Sequence, residues 1–128
     1  MKYDLKNFTL EEKIKLLSGN TYWTTNDIDG MARSLWLSDG PHGLRKRGEG
    51  GSTVPATAMP CLVNLANTWS RECAYLDAQT IADDCIENDV DVLLAPGVNI
   101  KRTPLCGRNY EYFSEDPYLA GELAVQFI

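Results

Sequence analysis

Residues 93–118 read LLAPGVNIKRTPLCGRNYEYFSEDPY. The stretch begins as the end of Asp91–Ala95 (DVLLA), a continuous apolar run suited to a strand covered on both faces. It ends at Asp116-Pro117, an N-cap followed by a proline at the first helical position, so Tyr118–Ile128 is expected to be a helix. Between the two lies a long loop carrying Lys101, Arg102, Arg108, Glu111, Glu115 and Asp116. Long loops with this many charges and aromatics, held between regular elements, usually carry function. Strand, loop and helix form one half of a βαβ repeat, and the remaining residues decide whether the pattern recurs.

Working back towards the N-terminus, it does. Ser70 is a candidate N-cap. From Arg71 to Asn88 the apolar positions Ala74, Ala78, Ile81, Ala82 and Cys85 keep helical spacing. The opposite face carries Arg71, Glu72, Asp77, Gln79, Asp83, Asp84 and Glu87. Cys61–Ala66 (CLVNLA) is short and apolar and is expected to be a strand, with Asn67-Thr68-Trp69 at its end. Gly43–Ala58 holds Gly, Pro, Ser and Thr without an apolar period and reads as a long loop. Ser34–Ser38 (SLWLS), stopped by Asp39-Gly40-Pro41, reads as another buried strand. Asn20–Arg33 is polar and turn-rich. At the start, Thr9-Leu10-Glu11-Glu12 is a capping box, followed by Leu10, Ile14 and Leu17 on one helical face and by Gly19 as a stop.

Strand, helix, strand, helix implies an α/β fold with a parallel sheet. Three short strands and about three helices do not close a barrel, and the last helical pattern reaches Ile128 without a cap. Residues 1–128 are therefore expected to be the front part of a longer α/β domain.

Composition narrows the function classes. The chain has 128 residues and a net charge of −6. An acidic chain gains nothing from the release of phosphate counterions, so nucleic acid is not an expected partner. No run approaches the roughly 20 apolar residues of a membrane span. The N-terminus MKYDLKNFTLEEKIKLL lacks the apolar core of a secretory signal. Cys61, Cys73, Cys85 and Cys106 show neither CxxC nor CxxH spacing and are expected to be reduced thiols. A cytoplasmic location is the corresponding expectation, with no metal and no cofactor.

In parallel α/β folds the site lies at the carboxyl ends of the strands. That rule sends Asp39–Arg45, Asn67–Trp69 and the loop after Pro96 to a common rim. A carboxylate accepts from two adjacent hydroxyls and an arginine fork donates to others, which suits a neutral polyol; a carboxylate or phosphate would also fit. Each residue has a structural alternative. Asp39 could cap the Gly40-Pro41 turn. Arg45 adjoins Lys46 and Arg47 and could belong to a solvated basic loop. Arg108 could pair with Glu111 or Asp116. Glu111 and Glu115 suggest an acid/base pair but read better as supporting groups, with Asp116 as a helix cap. His42, the only histidine, could line the rim. Trp69 reads as core or wall. Lys46, Arg47, Lys101 and Arg102 leave open an anion-binding module, whose affinity would fall with salt.

SDGPHGLR (Ser38–Arg45), LANTWS (Leu65–Ser70), LLAPGVNIKRTPLCGRNYEYFSEDPYLAGELA (Leu93–Ala124) and TLEEKIKLLSG (Thr9–Gly19) resemble the N-terminal catalytic domain of glycoside hydrolase family 3, chiefly its β-glucosidases. The resemblance implies the N-terminal portion of a (β/α)8 TIM-like barrel, incomplete in this chain. It also implies hydrolysis of terminal nonreducing β-glucosides with retention, through a glycosyl-enzyme intermediate. Asp39, Arg45 and Arg108 correspond to residues that hold the nonreducing sugar. The family's nucleophile lies on a later strand and its acid/base in the next domain, so this chain is expected to hold neither. Tyr110 stands where Phe or Trp is common. The implied partner is a β-glucoside or oligosaccharide. The alternative is a noncatalytic sugar-binding fragment, or one that self-associates through an unpaired sheet edge.

Overall fold

The computed structural model of the chain describes residues 4–29 and 32–128. Gly30 and Met31, within the expected Asn20–Arg33 loop, lie outside the described residues, as do Met1–Tyr3 of the N-terminal segment. The elements run α1 (Leu10–Leu16), β1 (Leu37–Asp39), α2 (Leu62–Ala66), α3 (Arg71–Glu87), β2 (Val92–Leu94) and α4 (Pro117–Phe127), with short 3-10 turns at Leu5–Asn7, Glu49–Gly51 and Asn109–Glu111.

The capping box is formed as read. Thr9 Oγ1 accepts from Glu12 N and the Glu12 carboxylate accepts from Thr9 N at 2.7 Å. Those bonds to Thr9 hold the Glu12 carboxyl below its ordinary range. The helix stops before Gly19, because Asn26 Nδ2 donates to the carbonyls of Lys15 and Ser18 at 2.9 and 2.8 Å and closes the last turn. The apolar face expected to be covered, Leu10, Ile14 and Leu17, is exposed.

β1 and β2 are parallel, with Leu37 opposite Val92, Ser38 opposite Leu93 and Asp39 opposite Leu94. Asp91 sets this register. Its Oδ2 accepts from Trp36 N at 2.8 Å, its own N–H donates to Trp36 O at 3.0 Å, and its Oδ1 meets Arg33 Nη2 at 2.5 Å. The Arg33 hydrogen bond, with help from Trp36 N–H, holds the Asp91 carboxyl below the usual range. β1 is flanked on its other side by the Trp23–Thr25 segment, through Leu37 N to Trp23 O at 2.7 Å and the Thr24–Trp36 bridge. Among the described residues β2 has a strand neighbour on one side only.

Cys61–Ala66 is a correction: the segment expected to be a strand is α2. Leu62, Leu65 and Ala66 are its buried residues, and their i, i+3, i+4 spacing is that of one helix face. They join Ala74, Ile81 and Cys85 of α3, Ala120, Leu123, Ala124 and Phe127 of α4, and Phe113 and Leu44 in a single core. Ser70 caps α3 by accepting from Cys73 N at 3.2 Å. Asp116 caps α4 by accepting from Tyr118 N at 3.0 Å, with Pro117 at the first position. Two assignments on α3 are reversed. Ala82 is exposed, whereas Asp77, placed on the solvent face by periodicity, is 3% exposed. Asp77 stands three residues after Ala74 and four before Ile81, both fully buried, and so shares their face of α3.

All four cysteines are free. Among the described residues no helix is long and apolar enough to cross a membrane.

Candidate functional site

The carboxyl ends of β1 and β2 open into a cavity of about 670 Å³. Asp39 and Leu94, paired in the sheet, contribute the strand ends, with Pro96 and Gly97 beyond them. Residues 40–45 make one wall and residues 108–112 the other.

The first wall is a closed loop. Arg45 N donates to Asp39 O at 2.9 Å, so the loop leaves and rejoins the sheet at the same point. Leu44, 5% exposed, plugs the loop into the core. Met59 N donates to His42 O at 3.1 Å and braces it from outside. Gly43 has φ +112°, and a Cβ there would lie 2.2 Å from the Thr57 carbonyl oxygen, so only glycine lets the loop pack this closely. Thr57 is itself fixed to α3 through its N–H, which donates to Asp84 Oδ2 at 2.8 Å. Asp39 and Arg45 thus sit at the two ends of one braced loop.

The second wall is folded back onto the strand end. Gly97 and Tyr112 form a parallel bridge, and a Cβ on Gly97 would fall 2.1 Å from the Glu111 carbonyl oxygen. The Arg108 guanidinium donates through Nε to Glu111 Oε1. The Arg108 side chain is 73% exposed and that of Glu111 14% exposed. Glu111 therefore acts as a fixed seat for an arginine that lines the cavity with its side chain largely exposed. The hydrogen bond and the charge of Glu111 raise the Arg108 pKa further. Across the cavity His42 packs on Tyr110, ring centroids 5.4 Å apart, and so joins the two walls. Lys101 Nζ lies 4.5 Å from the centre of the Tyr112 ring, a cation–π contact on the same segment.

Asp39, Arg45, Arg108 and His42 are thus brought together as the sequence places them. Asn67–Trp69 are not. Because α2 is a helix, its end does not reach this rim; Asn67 and Trp69 line a second, open cavity with Lys101, Arg102 and Glu115. Glu111 and Glu115 consequently belong to different cavities and form no carboxylate pair. The basic residues do not converge either. Lys46 Nζ donates to Asn88 O at 2.5 Å and lies 4.4 Å from the Trp36 ring centre, while Arg47 Nη1 reaches Gly51 O at 3.5 Å. Sequence reasoning did not identify Gly97 and Tyr112 as the hinge of the second wall. The Pro96-Gly97 pair directly after an apolar run was the available signal. Among the described residues no group of three or more His, Cys, Asp or Glu side chains could hold a metal.

Chemically, one carboxylate and two arginine forks around an open polar cavity can accept from and donate to a ring of hydroxyls at once. Asp39 and Glu111 are the carboxylates lining this cavity among the described residues, and Glu111 is bound to Arg108.

Residues 6–128 match the N-terminal domain of glycosyl hydrolase family 3. Over its whole length the chain is 45% identical to thermostable β-glucosidase B of Acetivibrio thermocellus, of which it spans 18%. It is 43% identical, over 97% of the chain, to an exo-α-(1→6)-L-arabinopyranosidase of Bifidobacterium longum, of which it spans 17%. The crystal structure of a β-glucosidase of Kluyveromyces marxianus in complex with glucose superposes with a TM-score of 0.90 at 35% identity, over 99% of this chain and 16% of that one.

Proposed function

Since the chain belongs to glycosyl hydrolase family 3, with the fold of the N-terminal portion of its (β/α)8 barrel, we propose that it supplies part of the sugar subsite of a retaining β-glucosidase. Asp39 accepts from adjacent hydroxyls of the terminal glucose. Arg45 and Arg108 donate to others, with Glu111 fixing the Arg108 fork. The observation that carries this reading is the convergence of Asp39, Arg45 and Arg108 on one cavity at the strand ends. A glucose-bound relative of the same fold supports it. Bond cleavage is assigned to a nucleophile and an acid/base outside residues 1–128.

Two measurements test the assignment of roles. In a family-length protein carrying this chain, Asp39→Ala removes hydrogen bonds to a charged group worth about 1.5–3 kcal/mol each. The expected loss in kcat/KM on an aryl β-glucoside is about one to two decades. A change below about twofold would remove Asp39 from the subsite. The purified 128-residue chain is expected to release no aglycone, and robust hydrolysis by it would overturn the placement of the cleaving groups.

A second reading follows from the Bifidobacterium longum relative, whose identity of 43% is close to the 45% of the β-glucosidase. The substrate would then be an α-L-arabinopyranoside, a pyranose without the hydroxymethyl carbon. Parallel assays with the two aryl glycosides separate these readings.

A further inference from the structure

The two arginines of the strand-end cavity are held in different ways. Glu111 seats the Arg108 guanidinium. Among the described residues no carboxylate pairs with Arg45, which is exposed. Where the Arg45 fork can reach is therefore set by its backbone. On one side that backbone is fixed to β1, with Arg45 N donating to Asp39 O at 2.9 Å. On the other side it runs into Lys46, which is not the solvated residue that a basic run suggests. Lys46 is half-buried. Its Nζ donates to Asn88 O at 2.5 Å and lies 4.4 Å from the centre of the Trp36 ring.

Both seats are themselves fixed. Asn88 is the C-cap of α3, and its backbone N–H and its Nδ2 both donate to Asp84 O, at 3.2 and 2.8 Å. A carbonyl at a helix C-terminus lacks an intrahelical donor and lies at the negative end of the helix dipole, so a lysine ammonium is favoured there. Trp36 is bound through both backbone groups to Asp91, which sets the register of β1 and β2. Lys46 O accepts from Val54 N at 3.0 Å, and Arg47 and Thr53 form an antiparallel bridge, so the chain beyond Arg45 is paired to itself. The same end of α3 grips the far side of the Asp39–Arg45 loop. There Asp84 Oδ2 accepts from the N–H of Thr57, whose carbonyl packs on Gly43.

We propose that Lys46 is the positioning residue of Arg45. Seated on the carbonyl at the end of α3, its ammonium fixes the point from which the Arg45 side chain starts. With that point it fixes the direction of the hydrogen bonds that Arg45 gives to the sugar. This role presupposes the place of Arg45 in the proposed sugar subsite. Lys46 is not among the residues that line the cavity, so it acts through its neighbour. Its ammonium is spent on a carbonyl and an aromatic ring within the fold, which sets aside an anion-binding role for it.

The test uses a family-length protein carrying this chain, with kcat/KM measured on an aryl β-glucoside. Lys46→Met keeps the stem and removes the donor, and the displaced arginine fork is expected to cost about tenfold. Lys46→Arg again offers a cationic donor of similar reach and should return to within about threefold of the parent. In an Arg45→Ala background, Lys46→Met should cost less than about twofold more, because the group it positions is gone. Urea midpoints separate this from a loss of α3 capping alone, which would lower the midpoint and leave kcat/KM of the folded enzyme within about twofold. That result would overturn the proposal, as would equal losses from Lys46→Met with and without Arg45, or no recovery in Lys46→Arg. Arg45→Ala without effect on kcat/KM would remove Arg45 from the subsite, and the role of Lys46 with it.

Discussion

Asp77 is the residue whose environment most contradicts its type. It is a carboxylate 3% exposed on the buried face of α3, with its Oδ2 lacking a hydrogen-bond partner. Its carboxyl, ordinarily at 3.8, is raised to about 6 by desolvation, so the folded chain holds this proton more tightly than the unfolded chain does. The resulting stabilisation is complete below the unfolded value of 3.8 and is lost as pH rises through about 6. Urea unfolding across that interval should therefore show wild-type stability falling relative to Asp77→Asn, whose own profile lacks this component. Parallel profiles for the two proteins would show that Asp77 is solvated. The signal was present in the sequence, since Asp77 stands three residues after Ala74 and four before Ile81 and so shares their helical face, but its charge assigned it to solvent. Asp39 and Arg108 were easier to place. Asp39 ends β1 and Arg108 lies in the loop that follows β2, and topology alone sends carboxyl-terminal strand ends and their loops to the rim.

Among the α-helices, those with side-chain caps were legible and the one without was not. Thr9, Ser70 and Asp116 each accept from a backbone N–H at the start of α1, α3 and α4, and a cap is a local event written in three or four adjacent residues. α2 has no side-chain cap at Cys61 and only five residues. A short apolar run does not distinguish helix from strand by periodicity, although the buried trio Leu62, Leu65 and Ala66 had helical spacing. Misreading α2 carried over to the site, since a helix end at Asn67 cannot supply the rim as a strand end would. Of the three caps, Ser70 holds the longest helix, which carries both Asp77 and the Asp84 anchor for Thr57. Ser70→Ala is expected to cost about 1 kcal/mol, read as a lower denaturant midpoint with an unchanged slope. A change in the slope instead would mean that α3 unravels from its N-terminus within the native state.

At the scale of the whole molecule, the dominant fact is apolar surface without cover. Leu10, Ile14 and Leu17 of α1 are exposed, as are Val92 and Leu94 of β2, and β2 has one side unpaired among the described residues. An open strand edge is a template for another strand. The chain in isolation is therefore expected to associate, with an average mass in sedimentation that rises with concentration. Val92→Lys, which puts a charge on the open edge and lies outside the strand-end cavity, should reduce that rise. Mass that is constant with concentration in the wild-type chain would show that the edge is inert. A different consequence comes from the bridge between Gly97 and Tyr112. It pins both ends of the loop between them, while Leu105 at its tip is 93% exposed and Gly107 has open space around it. The tip is thus severable: a protease that cleaves at Leu105 leaves Pro96 and Arg108 held by separate anchors, and the two pieces stay joined through the sheet and core. The same tip can be lengthened at an entropic cost of only about 0.6 kcal/mol per doubling of the loop, which makes it a natural place to insert a peptide without moving the walls of the strand-end cavity.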